Sequence, residues 1–258
     1  MSKIVALLAI CLALPLAACK SSASESGSVP RSGVNSLLGS PVYIQIFKEE
    51  RQLELYAKVQ NGYQLVKRFP ICKFSGGLGP KRTEGDFKSP EGFYQIDARH
   101  LKPDSRYYQA INIGYPNPYD QAHGYSGKYL MIHGDCVSVG CYAMTNAGIS
   151  EIYRYVQSAF RNGQMLVDIN IYPFHMTERN MQRHRNSSYI NFWRELQPGY
   201  QYFAQHALPP QVNVQDGRYV VNAPCLLAAR PHAWRSPRQN SANSPGAMRC
   251  QDSSQVSG

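Results

Sequence analysis

A histidine and a cysteine stand at the two ends of a short segment that contains two glycines. The segment reads HGDCVSVGC from His133 to Cys141. A cysteine thiol is a weak nucleophile at neutral pH, and a neighbouring imidazole can activate it by taking its proton. The pattern therefore predicts a site for cysteine acyl transfer, with Cys141 as the nucleophile and His133 as its base.

Backbone amides near the cysteine can stabilise the charge that such a reaction develops. A tetrahedral intermediate carries an oxyanion, and N–H groups fixed close to the thiol are its natural donors. Gly140, Cys141 and Tyr142 supply three such groups, and glycine lets the backbone approach a substrate closely. We predict that these amides form the oxyanion site.

Two alternatives compete with this interpretation. His133, Cys136 and Cys141 are all residue types that bind zinc, but their spacing is irregular and no fourth ligand stands nearby, so we predict no metal and no cofactor. His123 is a rival base, although its turn-rich neighbourhood favours a surface position. Simpler roles also exist, because Cys141 can be a buried, inert thiol and His133 a hydrogen-bonded strand end.

The residues that flank the pair predict the elements that hold it. An apolar, strand-like run over 129–132 ends at His133. After the cysteine, Thr145 or Asn146 can cap a helix that Gly163 ends. The helix is predicted by apolar residues that recur at helical spacing, namely Ile149, Ile152, Tyr153, Val156 and Phe160.

The rest of the chain reads mostly as strands. Residues 42–72 predict a three-stranded meander with a hairpin turn at Asn61-Gly62, and 93–96, 110–113 and 165–171 predict further strands. Beyond them, 177–185 and 188–207 read as helices, the second broken or kinked at Pro198-Gly199, before a hairpin around Asp216-Gly217. The fold class we predict is mostly β with flanking helices (α+β).

The N-terminus predicts export. Lys3 precedes an apolar run over 4–16 that is too short for a membrane span of roughly 20 residues, and the run ends in Leu-Ala-Ala-Cys19. This ending resembles the lipobox of bacterial lipoproteins, in which Cys19 is lipidated and anchors the protein to a membrane; the alternative is an ordinary signal peptide cut near Ala18. We predict a signal peptide over 1–18 and a Ser- and Gly-rich tether over 19–40.

Charge and cysteine usage narrow the choice of partners. The formal net charge of +10 suits nucleic acid, anionic lipid or an anionic cell-wall polymer, and export argues against nucleic acid. The five cysteines after Cys19 are an odd number, which suggests one free thiol. Cys225–Cys250 with Cys72–Cys136 is one set of pairs, and Cys136–Cys141 is a rival pair that would disable the proposed nucleophile.

Two motifs resemble the catalytic domain of the L,D-transpeptidase (YkuD-type) family. Ile132-His133-Gly134 followed by Ser138-Val139-Gly140-Cys141 is similar to the family's His-Gly and Ser/Thr-His-Gly-Cys pattern, and the segment 89–94 is similar to its upstream Pro-x-Gly-x-Phe/Tyr segment. The spacer is shorter than in the family, and Val139 replaces its second histidine. Both departures, together with the extension over 173–221, resemble the YafK-like branch.

This resemblance implies a fold, a substrate and roles for further residues. It implies a β-sandwich catalytic domain over 41–174. The helical patterns and the hairpin predict an extension over 175–222, and the polar, Pro- and Ser-rich composition after it predicts a disordered tail over 223–258. The resemblance also implies a thioacyl-enzyme on Cys141, with the Gly134 carbonyl orienting His133. Peptidoglycan stem peptides containing diaminopimelate would be the substrates. Residues suited to their carboxylates or to other substrate contacts are Ser138, Lys81, Arg82 and Lys88.

The acyl acceptor decides the reaction. An amine acceptor would give transpeptidation, which crosslinks stem peptides or attaches a lipoprotein. Water would give hydrolysis, and the resemblance to the YafK-like branch implies release of peptidoglycan-linked lipoprotein. We favour hydrolysis on the periplasmic face of a membrane. A different class of function, a non-catalytic lipoprotein that binds the cell wall through its basic surface, stays open at this point.

Overall fold

The computed structural model describes residues 37–222, and its larger sheet is built on the predicted meander. Strands β1 (Val42–Phe47), β2 (Gln52–Val59) and β3 (Gly62–Pro70) pair antiparallel in sequence order. Two later strands complete this sheet: β9 (Val167–Tyr172) runs parallel to β1, and β4 (Gly92–Ile96) runs antiparallel to β9. The strand order is therefore β3-β2-β1-β9-β4.

A smaller sheet carries the residues proposed for catalysis. Its strands are β5 (Leu101–Lys102), β6 (Ala110–Asn112), β7 (Met131–His133) and β8 (Tyr142–Ala143), in spatial order β5-β6-β7-β8. Strands β7 and β8 are parallel neighbours, with Ile132 opposite Tyr142. By this register Cys141, which directly precedes β8, is level with Met131, two residues before His133 on β7. Because alternate residues of a strand face the same side of a sheet, His133 and Cys141 belong to one face of this sheet.

Helices flank both sheets. They are α1 (Pro118–Ala122), α2 (Asn146–Arg161), α3 (Glu178–Arg183) and α4 (Ile190–His206), and a single 3₁₀ turn lies at Ala98–His100. Helix α2 is the helix predicted after the cysteine, and the Thr145 hydroxyl caps it by accepting from the Gly148 amide at 3.0 Å. Its apolar face is buried at Ile149, Ile152 and Val156. In residues 37–222 no helix combines the length and apolar character needed to cross a membrane.

Of the break or kink predicted at Pro198-Gly199, the structure excludes the break. Helix α4 continues through Pro198 from Ile190 to His206. The next residue, Gly199, packs so closely on Phe93 that a Cβ there would lie 2.6 Å from the ring. Tertiary packing therefore stabilises helical geometry at Pro198, a residue type that would break an isolated helix.

Two apolar clusters hold the layers together. The first joins the two sheets and α2 through residues such as Ile44, Ile132 and Ile152, which confirms a mostly β core with flanking helices. The second joins α4 to the larger sheet through Phe47, Phe93 and Trp193. The predicted small hairpin forms from β10 (Gln211–Gln215) and β11 (Arg218–Asn222). It packs on this second cluster through Tyr219. The boundary between 41–174 and 175–222 stays a prediction.

A buried ion pair ties the loop before β4 to both of these layers. Lys48 and Glu91 are fully buried, and their charged atoms lie 2.9 Å apart. The Lys48 ammonium also donates to the carbonyls of Gly79 (3.0 Å) and Ser89 (2.9 Å). Glu91 accepts from the Gly79 amide and from the Trp193 indole N–H of α4. One network therefore fixes the segment 79–91, which lies directly behind Cys141.

Candidate active site

Three serine hydroxyls hold the backbone that presents the cysteine. The Cys141 carbonyl accepts hydrogen bonds from Ser138 Oγ at 2.8 Å and from Ser89 Oγ at 3.1 Å. The Gly140 amide donates to Ser75 Oγ at 2.7 Å, and Gly140 has a φ of +91°, a conformation that favours glycine. The nucleophile therefore sits in a turn whose geometry is fixed from three directions.

The imidazole is held in one tautomer. His133 is buried, and its Nδ1 lies 2.7 Å from the Gly134 carbonyl oxygen, so Nδ1 carries the proton and donates it to that carbonyl. The other nitrogen, Nε2, is left with a lone pair that can accept a proton. The Tyr107 ring packs against the imidazole with ring centroids 4.7 Å apart. The Gly134 carbonyl therefore lies where it can orient the imidazole, and its part in catalysis stays a prediction.

The glycine after the histidine is needed for space. A Cβ on Gly134 would lie 2.5 Å from Asn146 Oδ1 and 2.9 Å from the Tyr107 carbonyl oxygen. Asn146 Oδ1 also accepts from the Asp135 amide at 2.8 Å, which fixes the start of the loop. A side chain at position 134 would push away the contacts that hold His133.

Burial shifts the pKa values of both groups toward their neutral forms. It raises the pKa of the Cys141 thiol, against smaller lowering contributions from a backbone hydrogen bond and from Lys81. Burial also lowers the pKa of His133, against opposing contributions from Gly134 and Asp135. The thiol lies 3.6 Å from the Tyr129 carbonyl oxygen, to which it can donate. Both shifts disfavour a standing thiolate–imidazolium pair.

A single cavity exposes both groups to a substrate. It has a volume of about 750 Å³, and both His133 and Cys141 line it. Its apolar wall includes Tyr129, Val137 and Val139. The volume is sufficient for a peptide-sized substrate.

The disulfide in the described range leaves the nucleophile free. Cys72 pairs with Cys136, and Cys141 is a free thiol. This finding excludes the rival pair Cys136–Cys141 in this structure. It also removes Cys136 as a metal ligand, and within residues 37–222 no three His, Cys, Asp or Glu side chains are grouped to hold a metal. Cys19, Cys225 and Cys250 lie outside the described residues.

Comparison with known proteins decides the family. The family model of the L,D-transpeptidase catalytic domain (YkuD) matches residues 41–169. The Escherichia coli (strain K12) protein YafK, which carries an L,D-transpeptidase name, is 58% identical over 223 residues, covering 84% of this chain and 91% of that protein. The chain belongs to the L,D-transpeptidase (YkuD) family.

Solved structures resemble the chain more distantly. The helical cell shape determining protein Pgp2 of Campylobacter jejuni aligns with a TM-score of 0.45 at 17% identity, over 72% of this chain and 79% of that one. A mutant of the same protein aligns with a TM-score of 0.44 at 21% identity. That alignment covers 67% of this chain and only 61% of the mutant's chain. Bd1075 of Bdellovibrio bacteriovorus aligns at 0.38 and 20% identity, over 68% of this chain and 77% of that one.

The structure distinguishes among the predicted oxyanion donors. The Gly140 amide is already bonded to Ser75 Oγ, and Tyr142 lies inside β8, where pairing with β7 engages its backbone. The Tyr142 hydroxyl donates to the Pro90 carbonyl at 2.6 Å, which fixes this strand against the segment before β4. The Cys141 amide is the remaining candidate of the three, and its role as an oxyanion donor stays a prediction.

The side chains predicted to bind substrate carboxylates make contacts within the protein instead. Lys81 lines the same small cavity as Cys141. Its ammonium, however, donates to Asp86 at 2.7 Å and to the Thr83 carbonyl at 2.9 Å. Arg82 and Lys88 point elsewhere, because their charged groups lie over the Tyr189 ring at 5.7 Å and 5.2 Å. The Lys88 ammonium also donates to backbone carbonyls. Ser138 lines the large cavity, but its hydroxyl serves the Cys141 carbonyl.

A different set of cations faces the cavity, and the sequence did not single it out. Lys73, Lys102 and Arg106 line it together with Ser105 and Tyr107. Lys73 follows β3 and bridges to Ala143, whereas Lys102 and Arg106 come from β5 and the loop after it. Only the pairing of the smaller sheet brings these segments together. No local sequence motif marks them.

The rival base lies in another environment. His123 Nδ1 lies 2.9 Å from the Tyr119 carbonyl oxygen, and the imidazole stacks on the Tyr119 ring at 4.2 Å. His123 lines neither of the described cavities that contain Cys141. This placement favours His133 as the base of the L,D-transpeptidase site.

Proposed function

We propose that this L,D-transpeptidase-family protein is a cysteine acyl-transfer enzyme that hydrolyses amide bonds at peptidoglycan stem peptides and so releases peptidoglycan-linked lipoprotein. The observation that carries the proposal is a free Cys141 thiol in the same cavity as a buried imidazole whose Nδ1 is fixed by the Gly134 carbonyl. Family membership implies peptidoglycan as the substrate. Hydrolysis is the outcome that we favour for the YafK-like branch.

The reaction uses the neutral pair in two steps. In the first, His133 Nε2 takes the proton of Cys141 as the sulfur attacks the substrate's amide carbonyl. The tetrahedral intermediate collapses when the imidazolium gives this proton to the leaving amine, which breaks the C–N bond and leaves a thioester. In the second, His133 takes a proton from water as its oxygen attacks the thioester carbonyl. The C–S bond then breaks and the imidazolium returns the proton to the sulfur, which releases the acid and the free Cys141 thiol.

The cationic wall would bind the acyl donor. Stem peptides with diaminopimelate carry free carboxylates, and the cavity lining has three cations, Lys73, Lys102 and Arg106, against one acid, Asp104. The guanidinium of Arg106 is carried over the Tyr107 ring at 4.9 Å, and Tyr107 itself packs on His133. A carboxylate bound at Arg106 would therefore lie close to the base.

The test is mass spectrometry of purified domain incubated with sacculi. We expect released lipoprotein or stem peptide, and a thioacyl adduct on Cys141 in the intact protein. Cys141→Ala and His133→Ala should each abolish turnover, whereas His123→Ala, the matched control at the rival base, should retain it. Retained turnover in folded Cys141→Ala protein would refute the proposal.

Transpeptidation is the second candidate, because the related YafK protein carries an L,D-transpeptidase name. The same experiment separates the two reactions: new crosslinks or newly attached lipoprotein would indicate an amine acceptor. A non-catalytic wall-binding protein would give neither product, and its binding to sacculi would be sensitive to salt and unaffected by Cys141→Ala.

We further propose that the enzyme works on the periplasmic face of a membrane, anchored through lipidated Cys19. The support is the apolar N-terminal run and its lipobox-like ending, which lie outside the described residues. Metabolic labelling with a fatty-acid analogue should mark the wild-type protein and not Cys19→Ala. Equal labelling of both would refute the anchor.

A further inference from the structure

An exposed apolar patch lies where the N-terminal tether enters the domain. Met165 and Leu166 are 80% and 50% exposed, and Leu38, near the start of the described residues, is 37% exposed. The strand predicted over 165–171 begins only at Val167, so Met165 and Leu166 lie outside the larger sheet. We call Leu38, Met165 and Leu166 the tether patch.

Hydrogen bonds join the two segments that carry this patch. The Asn162 side-chain amide donates to the Gly39 carbonyl at 3.1 Å. Gln164 Oε1 accepts from the Val42 amide at 2.7 Å, and Gln164 Nε2 donates to the carbonyls of Val42 (2.9 Å) and Leu166 (2.8 Å). The tether patch is therefore a fixed part of the domain.

Two cations flank the patch. Arg161 is the last residue of α2, and the Lys58 amide donates to the Pro41 carbonyl at 2.7 Å. Both side chains are exposed, and neither belongs to an ion pair among residues 37–222. The acid closest to Leu166 in sequence, Asp168, is half-buried and accepts from Gln95 at 2.8 Å. Apolar side chains beside unpaired positive charge suit the interface of an anionic bilayer.

The position of the proposed anchor indicates what would cover the patch. Leu37 follows Cys19 by 18 residues in the sequence. Even a fully extended chain of that length spans no more than about 65 Å. The chain enters the domain beside the patch, so this is the part of the domain that a lipid on Cys19 would hold closest to a bilayer.

Helix α2 separates the patch from the proposed base. Its first residue, Asn146, accepts from the Asp135 amide, two residues after His133, and its last residue, Arg161, adjoins the patch. A helix of 16 residues is about 24 Å long. A bilayer in contact with the tether patch would therefore leave the cavity at Cys141 open to substrate.

We propose that the tether patch is a membrane-docking site, which inserts Met165 and Leu166 into the interface of a bilayer that contains anionic lipid. Lys58 and Arg161 would face the phosphates of the lipid headgroups. The inference rests on the lipid anchor proposed above and goes beyond it. A single lipidated residue holds the domain near the membrane, whereas a second contact through the domain itself fixes its orientation.

Methionine oxidation tests this contact without any substitution. The lipidated protein on vesicles of phosphatidylethanolamine and phosphatidylglycerol is treated with N-chlorotaurine, a charged oxidant, and compared with the unlipidated chain in solution. Peptide mass spectrometry should show Met165 oxidised several-fold more slowly on vesicles, because oxidation follows exposure. Met131, which lines the large cavity, is the internal reference and should react equally in both. Equal rates for Met165 would overturn the inference, and so would slow oxidation of Met165 without vesicles, since another part of this chain would then cover the patch.

Variants assign the docking to side chains. On the same vesicles, hydrogen exchange of the amides over 162–166 should be slowed in the lipidated wild-type protein. Met165→Ser combined with Leu166→Ser should weaken docking at least roughly tenfold and remove this protection, because covering one large apolar side chain contributes about that factor. Phe87→Ser is the matched control, since Phe87 is 64% exposed but lies in the segment behind Cys141. Protection that survives in the double variant, or is equally lost in the control, contradicts the inference.

Two further measurements separate the possible failures. If sedimentation shows a dimer that the double serine variant abolishes, the patch binds a second copy of the chain and the inference is wrong. If the intact mass of the wild-type protein shows no lipid, the anchor is refuted and the docking inference with it. Neither result bears on the acyl-transfer reaction, which is measured by turnover of sacculi.

Discussion

Substituting Lys48 by methionine tests whether the buried ion pair supports the active site. The change removes an ammonium that is fully buried, 2.9 Å from Glu91 and within 3.0 Å of the Gly79 and Ser89 carbonyls. Desolvation lowers the pKa of Lys48, and the Glu91 carboxylate opposes that shift. Breaking a buried pair costs about 3 to 5 kcal/mol, because the remaining charge is left without its partner. The free energy of unfolding in urea at pH 7 should fall by about that amount.

A double-mutant cycle makes this reasoning refutable. Glu91→Gln added to Lys48→Met removes both charges, so the double variant should lose about 1 to 3 kcal/mol less than the sum of the two single variants. Lys67→Met is the control for an exposed pair, and it should cost no more than about 1 kcal/mol. If Lys48→Met costs no more than this control, or if the single effects simply add, the ion pair does not hold the segment as argued. Turnover per folded molecule should also fall in Lys48→Met, since Ser89 holds the Cys141 carbonyl.

Three further predictions concern the base, the turn and a surface histidine. Because burial lowers the pKa of His133, the acid limb of kcat/KM for stem-peptide cleavage should have its midpoint below pH 6.5; a midpoint above 7 would contradict this. Gly140→Ala, at φ +91°, should destabilise by about 1 to 2 kcal/mol in urea and also reduce turnover per folded molecule; unchanged turnover would contradict the role of this turn. Burial opposes protonation of His175, but Glu50 and Glu54 raise its pKa to about 9. Its ion pairs should therefore stabilise the fold fully below pH 6.5 and lose that effect as pH rises through 9. In thermal unfolding, His175→Gln should flatten this pH dependence. An unchanged pH profile in the variant would refute the prediction.

Local patterns predicted the elements that depend on local interactions. The Asn61-Gly62 turn, the Thr145 cap and the apolar face of α2 all follow from residues close together in the chain. His133 and Cys141 could be found for the same reason, because the short loop between β7 and β8 keeps them near in sequence as well as in space.

Contacts between distant segments could not be predicted in this way. Ser75 and Ser89 reach the turn at Cys141 only after the sheets assemble. The motif at 89–94 marks the segment of Ser89, but it does not show that the hydroxyl bonds the Cys141 carbonyl. Lys81 was a reasonable anion-binding candidate from its position in a polar stretch. Its pairing with Asp86 depends on the fold of the 81–88 loop, which the sequence does not specify.

The Cys72–Cys136 bond divides the site in an uneven way. The two cysteines are 64 residues apart in the sequence, and their bond closes a covalent ring. This ring contains His133 and the cationic residues of the large cavity. Cys141 lies five residues after Cys136 and therefore outside the ring. A ring of this size removes about 4 kcal/mol of unfolded-chain entropy on a loop-closure estimate. The residues proposed to bind the acyl donor and the proposed base His133 thus lie within one covalent ring. Cys141 lies outside this ring, in a turn that serine hydroxyls hold. Reduction of this disulfide should therefore loosen the cavity wall and His133 together.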